Sequence, residues 1–270
     1  NAGSAPRGVQ QGGEAAGHKD EVDRLLQGMI EGNERFSNRP SWPSMSEKPK
    51  TRARAQDFRL KPRPPKVLVL SCARSFAEAS DIFDMRAGEL ESIQVMGNVC
   101  SKGGGVLGSV EFCVSEYQTP LLLVMGNTKN DVIEGGVRRA MEAAGRDDAP
   151  REAGAEGDLA LYDKVAPAAH DALLQLPCAT FEKLCERATE LNVWNTIETL
   201  MSSSGYIQQQ CQLGQMTMQG AVFDVETGRA QFLGVHPSNE ELLRKKVRLD
   251  MIRDASAPRV PPDEALAQLV

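Results

Sequence analysis

The sequence predicts an α/β protein with a central, mostly parallel sheet flanked by helices and a helical arm at its N-terminus. Val67 to Ser71 (VLVLS) and Pro120 to Met125 (PLLLVM) are short, continuous apolar runs rich in Val and Leu, the pattern of parallel strands covered on both faces. Around them apolar residues recur at spacings of three and four, so helices alternate with strands. At 270 residues, with 41% hydrophobic and 25% charged residues, the chain is long enough to bury a substantial core. One domain with appendages is expected. Its parts are a disordered segment over 1–18, a helical arm and basic connector over 19–65, an α/β core over 66–236, and a C-terminal helix and tail over 237–270.

Residues 1–18 are rich in Gly, Ala and Gln with no apolar period. From Asp20 onward, Val22, Leu25, Leu26, Met29, Ile30 and Phe36 form a helical stripe opened by acidic residues, which suit a helix N-terminus. After the connector comes the strand Val67 to Ser71, with Cys72 at its carboxyl end. A helix is expected over Phe76 to Asp84 and a short strand over Ser92 to Met96. Gly103 to Gly105 then turns into an amphipathic helix over Val106 to Glu116. The strand Pro120 to Met125 ends at Gly126, and Glu134 to Ala144 reads as helix. Residues 145–160 form a polar loop, followed by helices over Ala169 to Leu176 and Thr180 to Met201. Met216 to Asp224 and Ala230 to Leu233 make a hairpin around Glu226-Thr227-Gly228. Glu240 to Asp254 is a charged helix before a Pro-containing tail.

A net charge of −6 and a pI of about 5.3 leave no global positive field for nucleic acid or an anionic membrane. Lys48 to Lys66 is the local exception, with eight basic residues against Asp57. Pro62, Pro64 and Pro65 prevent a basic helix, so a solvated connector is expected, with an anion- or partner-binding strip as the alternative. The six cysteines are scattered without a CxxC pair, as in a reduced protein. No apolar run approaches the roughly 18 residues of a membrane span. These features suggest a soluble protein of a reducing compartment, either cytoplasm or an organelle matrix or stroma. The first residue is Asn, as would follow removal of a transit peptide or other trimming.

Parallel α/β sheets place their sites at the carboxyl ends of strands, which directs attention to Cys72 and to the loop after Met125. The segment from Cys72 to Asn98, CARSFAEASDIFDMRAGELESIQVMGN, resembles the first motif of the β-carbonic anhydrase family. It matches at Cys72, Ser75, Ile82, Phe83, Asp84, Gly88, Gly97 and Asn98, with Glu89 conservative for Asp. Four further pieces in family order extend the resemblance over about residues 20 to 235: Gly32, Asn33 and Phe36; Gly108 to Phe112; Asn192-Val193; and Gly220 to Leu233.

The resemblance implies a zinc ion held by one Cys of the first motif and by His and Cys of a later loop, with an Asp-Arg pair ordering the site. Thiolate and imidazole are good zinc donors, and bound zinc activates water for attack on CO2. Here Cys72 matches the first ligand, but the later loop has Asn127 and Asn130 at the ligand positions. The Asp-Arg pair is replaced by Arg74 and Phe76, and Gln94 and Met96 alter the motif's end. The altered pocket would comprise Cys72, Arg74, Gln94, Gly97, Asn98, Asn127, Lys129 and Asn130. One remaining ligand suggests that no zinc is bound. A catalytically inactive structural or regulatory subunit follows, as a homodimer or in a hetero-oligomer. The alternatives are residual carbonic anhydrase activity, other chemistry using Cys72, Arg74 or Lys129, or an anion sensor built on Arg74 and Lys129. His18, His170 and His236 are expected at the surface or in packing roles.

Overall fold

The computed structural model describes residues 8–39, 64–86, 88–146, 148 and 160–245. Its sheet contains β1 (Val67–Ser71), β2 (Leu90–Gln94), β3 (Leu121–Asn127), β4 (Thr217–Asp224) and β5 (Arg229–Gly234). The spatial order is β2-β1-β3-β4-β5; the first four are parallel and β5 returns antiparallel to β4. Every residue of β1 and β3 is buried, as their unbroken apolar runs require.

The two-residue period of the strands divides this core. Leu68, Leu70, Leu122 and Val124 face one way, toward α3 (Gly105–Tyr117), α6 (Phe181–Ser203), α7 (Gly205–Gln212) and α8 (Asn239–Arg244). Val67, Val69, Leu121 and Leu123 face the other way, toward α1 (Gly8–Ser37) and α2 (Ala79–Ile82). A third cluster joins α4 (Asp131–Ala143), α5 (Ala160–Gln175) and α6. Burying a Leu or Val side chain contributes about 1.5–3 kcal/mol, so these layers supply the main stabilisation.

The arm packs on its own chain. Val22, Met29 and Phe36, seven residues apart, are buried with Phe83 and Phe223, while Ile30 of the expected stripe is 37% exposed. Asn33 fixes the contact: its amide donates to the carbonyls of Ile82 (3.3 Å) and Gly228 (2.9 Å), and its carbonyl accepts from the amide of Ala230 (2.8 Å). The arm also begins earlier than expected. α1 starts at Gly8, so residues 8–18 are helical where disorder was expected, and His18 meets the Thr217 hydroxyl at 3.1 Å. The local lack of apolar residues does not prevent a helix that continues a docked one. Residues 1–7 lie outside the described residues, as do 40–63 of the basic connector.

Other boundaries move for local reasons. The helix expected over 76–84 contracts to Ala79–Ile82 because Phe76 and Asp84 have φ of 62° and 48°, in the left-handed region. β2 begins at Leu90 and stops at Gln94, since a 3₁₀ turn over Met96–Asn98 follows. α4 begins at Asp131, three residues early, and α5 reaches back to Ala160 through Pro167. Packing explains the length of α5: a Cβ on Gly135 would lie 2.4 Å from Tyr162, and one on Gly136 2.7 Å from Val165. Two glycines of α4 thus let the polar-looking start of α5 pack closely. α7 was not expected, and the charged C-terminal helix is described only as far as Arg244.

Candidate functional site

The order β2-β1-β3 means that the chain leaves β1 for one side and returns to the other, making a switch point between the carboxyl ends of β1 and β3. Cys72 follows β1, and Asn127 closes β3. Two glycines permit close packing here. A Cβ on Gly126 would lie 2.8 Å from Thr189 of α6, while Gly97, with φ of 70°, leaves only 3.0 Å to Val132 of α4.

Cys72 is fully buried. Its sulfur accepts from the backbone amides of Gly97 (3.3 Å) and Arg74 (3.4 Å). From the other side, the Asn192 amide donates to the Gly97 carbonyl at 2.8 Å and to Asn98 Oδ1 at 3.3 Å, and the Thr196 hydroxyl donates to the Asn98 carbonyl at 3.1 Å. The turn after β2 is therefore held between Cys72 and α6.

Asn127 and Asn130 are also buried, and they bond to each other. Asn130 Nδ2 donates to Asn127 Oδ1 at 3.1 Å, and Asn127 Nδ2 donates to the Thr128 carbonyl at 2.9 Å. Asn130 Oδ1 accepts from the Val132 amide at 3.1 Å, making Asn130 the N-cap of α4. Removing this side chain loses a cap and leaves Asn127 Oδ1 without its donor. Asn130→Ala should therefore lower stability by about 2 kcal/mol, measured as a shifted urea midpoint at unchanged slope. Asn130→Asp, which keeps the cap, should lose less; equal losses would show that the cap contributes nothing.

The remaining residues of the expected pocket are peripheral. Arg74 is exposed, pairs with Asp131 at 3.0 Å and lies 5.4 Å from the Phe76 ring centroid. Lys129 is exposed and 3.7 Å from Glu226. Each cation thus faces a carboxylate, although solvent screening leaves such pairs a small contribution. Gln94 is exposed at the end of the edge strand and is not part of the buried group. The structure places Cys72, Gly97 and Asn98 in one bonded group and Asn127 and Asn130 in a second at the end of β3, with the side chains of Arg74, Gln94 and Lys129 exposed.

Sequence reasoning missed the supports. Thr128 donates to Asp224 Oδ1 (3.2 Å) and accepts from the Val225 amide (3.1 Å), tying the site loop to the β4–β5 turn. The Glu226 amide and Thr227 hydroxyl also donate to Asp224, and these hydrogen bonds outweigh its burial and hold its carboxyl below the usual range. Thr196, one helical turn after Asn192, was the readable signal for a second α6 contact. Elsewhere in the chain burial pushes the thiols of Cys100 up to about 11 and of Cys185 and Cys211 up to about 12.

These residues do not fit a zinc ion. The set offers one sulfur and two amides, and the amides are engaged with each other and with the backbone. Amide oxygens are neutral, hard donors, whereas zinc is held by thiolate, imidazole or carboxylate. Among the described residues, no group of three or more His, Cys, Asp or Glu side chains is arranged to hold a metal. His18 and His236 are engaged elsewhere, and His170 is exposed beside Asp171.

A doubly wound sheet with its cysteine and loop at the β1/β3 switch point defines the class of protein. The chain belongs to the β-carbonic anhydrase family: residues 67–230 match the family model described as carbonic anhydrase. Carbonic anhydrase 2 of Mycobacterium tuberculosis is 27% identical over 205 residues, covering 74% of this chain and 87% of that protein. Among solved structures, the β-carbonic anhydrase CafA of Aspergillus fumigatus aligns with a TM-score of 0.56 at 19% identity, covering 72% of this chain and 90% of that one. A structure described among two tetrameric β-carbonic anhydrases from Sordaria macrospora aligns with a TM-score of 0.54 at 17% identity, covering 68% and 92%. The expected fold is thereby confirmed.

Proposed function

We propose that this chain is a carbonic anhydrase family member that does not hydrate CO2 and serves as a structural or regulatory subunit of an oligomer. The observation that carries this reading is the asparagine pair. Asn127 and Asn130, at the positions that the family resemblance assigns to zinc ligands, are bonded to each other and to the backbone at the start of α4. The region retains a use, which is to brace the loop rather than to bind a Lewis acid. The tetrameric relatives from Sordaria macrospora support assembly. So do large apolar residues that a single chain leaves exposed, Phe112 on α3 and Ile30 on α1 among them.

Stopped-flow CO2 hydration by the purified, zinc-supplemented chain tests the reading, together with its mass by light scattering. Background hydration and a dimer or larger species are expected. Hydration that rises with protein and zinc, or a strictly monomeric chain, would contradict it.

No helix among the described residues is long and apolar enough to cross a membrane.

A further inference from the structure

His236 lies just beyond β5 and is 6% exposed, yet it takes no part in the switch-point site. Its Nδ1 accepts from the Ser238 backbone amide at 3.0 Å, so the ring proton resides on Nε2, which faces Glu198 Oε1 of α6 at 3.3 Å. The edge of the ring pair with Trp194, at a centroid distance of 5.3 Å, fixes the imidazole against α6. Ser238 is the residue from which α8 starts. The far end of α8 is held separately: Gln208 donates to the Leu242 and Lys245 carbonyls at 2.7 and 2.5 Å, and Gln212 to the Leu243 carbonyl at 2.5 Å. Between these two attachments Leu242 is buried in the cluster that contains Leu200, Met201 and Ile207.

We propose that His236 is a pH-operated latch on α8, and that protonating its ring releases the start of the helix from α6. A second ring proton must occupy Nδ1, which would convert the acceptor facing the Ser238 amide into another donor. That bond is lost and two N–H groups oppose each other in a buried place. The charged groups facing the ring are Glu198 from α6 and Lys245 at the end of α8. Burial lowers the ring's affinity for protons and outweighs Glu198, whose half-exposed side chain favours the imidazolium, while Lys245 adds to the lowering.

The sign follows. The attached state has a lowered pKa and the detached state an ordinary one near 6.5, so the detached state binds protons first. Attachment is strongest above that value and weakens as pH falls through it. Release would loosen the packing of Leu242 against the apolar cluster beneath it.

Hydrogen–deuterium exchange of the full chain, corrected for intrinsic rates, reads the latch directly. Protection of residues 239–245 should fall severalfold between pH 7.5 and 5.5, below the roughly tenfold ceiling that one proton sets, while that of α6 holds. His236→Asn retains an acceptor near Nδ1 and should make α8 protection independent of pH. Glu198→Gln removes the attraction for the proton and should bring the loss closer to the roughly tenfold ceiling in a chain with an intact ring. PH-independent protection in the native chain, an unchanged fall in His236→Asn, or equal loss throughout α6 and the sheet would each overturn the proposal.

Discussion

Restoring the family donor set should yield a chain that holds about one zinc ion, where the native chain is expected to hold none. The variant combines Asn127→His, Asn130→Cys, Arg74→Asp and Phe76→Arg. Cys72 is already buried at the end of β1 with its turn fixed by Gly97 and α6, so the first donor needs no change. The expected gain is large because a complete thiolate and imidazole site contributes on the order of 10 kcal/mol where one thiolate does not. A cost comes first. Cys at position 130 removes the cap of α4, and Asp at position 74 approaches Asp131 in place of the present ion pair. The metal-free variant should therefore melt below the native chain, and zinc should raise its midpoint by mass action. Zinc content by atomic emission and melting with and without zinc make the comparison. A folded variant that takes up no zinc would show that the motif register is wrong.

The second large effect is expected at the arm. A Cβ on Gly32 would lie 1.9 Å from the Phe83 carbonyl oxygen, a backbone atom that no side-chain rotation can relieve. Gly32→Ala should consequently displace α1 even though alanine favours a helix intrinsically. The displacement forfeits the burial of Val22, Met29 and Phe36 and the three hydrogen bonds of Asn33. More than about 3 kcal/mol of stability should be lost, with early proteolysis within α1. Gly28→Ala is the control, because its Cβ would meet nothing within 4 Å. It should be neutral or slightly stabilising, and equal losses in the two variants would refute the close contact at Gly32.

The fold was largely legible because its central strands have a simple cause. Apolar runs such as VLVLS are buried on both faces, and no other element satisfies that pattern in so few residues. The ends of elements were less legible because tertiary contacts set them. α5 extends through Pro167 since Tyr162 and Val165 meet two glycines of α4, and no local pattern in 160–168 encodes that meeting. α2 is short because Phe76 and Asp84 adopt left-handed backbone, which bulky side chains do not advertise.

The site divides in the same way. Cys72, Asn127 and Asn130 were readable from position in the motif, and the structure has Cys72 just after β1, Asn127 at the end of β3 and Asn130 at the start of α4. Their present use was not readable, because hydrogen bonds between Asn130, Asn127 and the start of α4 depend on geometry that residue types alone leave open. Asn130 before Asp131 does carry a helix-start signal that places α4 at its observed beginning. Arg74 and Lys129 read as pocket cations, whereas each lies exposed beside a carboxylate across a loop.

The central claim is that the Asn127–Asn130 brace has replaced a metal site. Calorimetric titration of the metal-free native chain with zinc tests it most directly, with the quadruple variant as the positive control. The account predicts no saturable site in the native chain and one in the variant. Tight binding of about one zinc per native chain, abolished by Cys72→Ser, would contradict it.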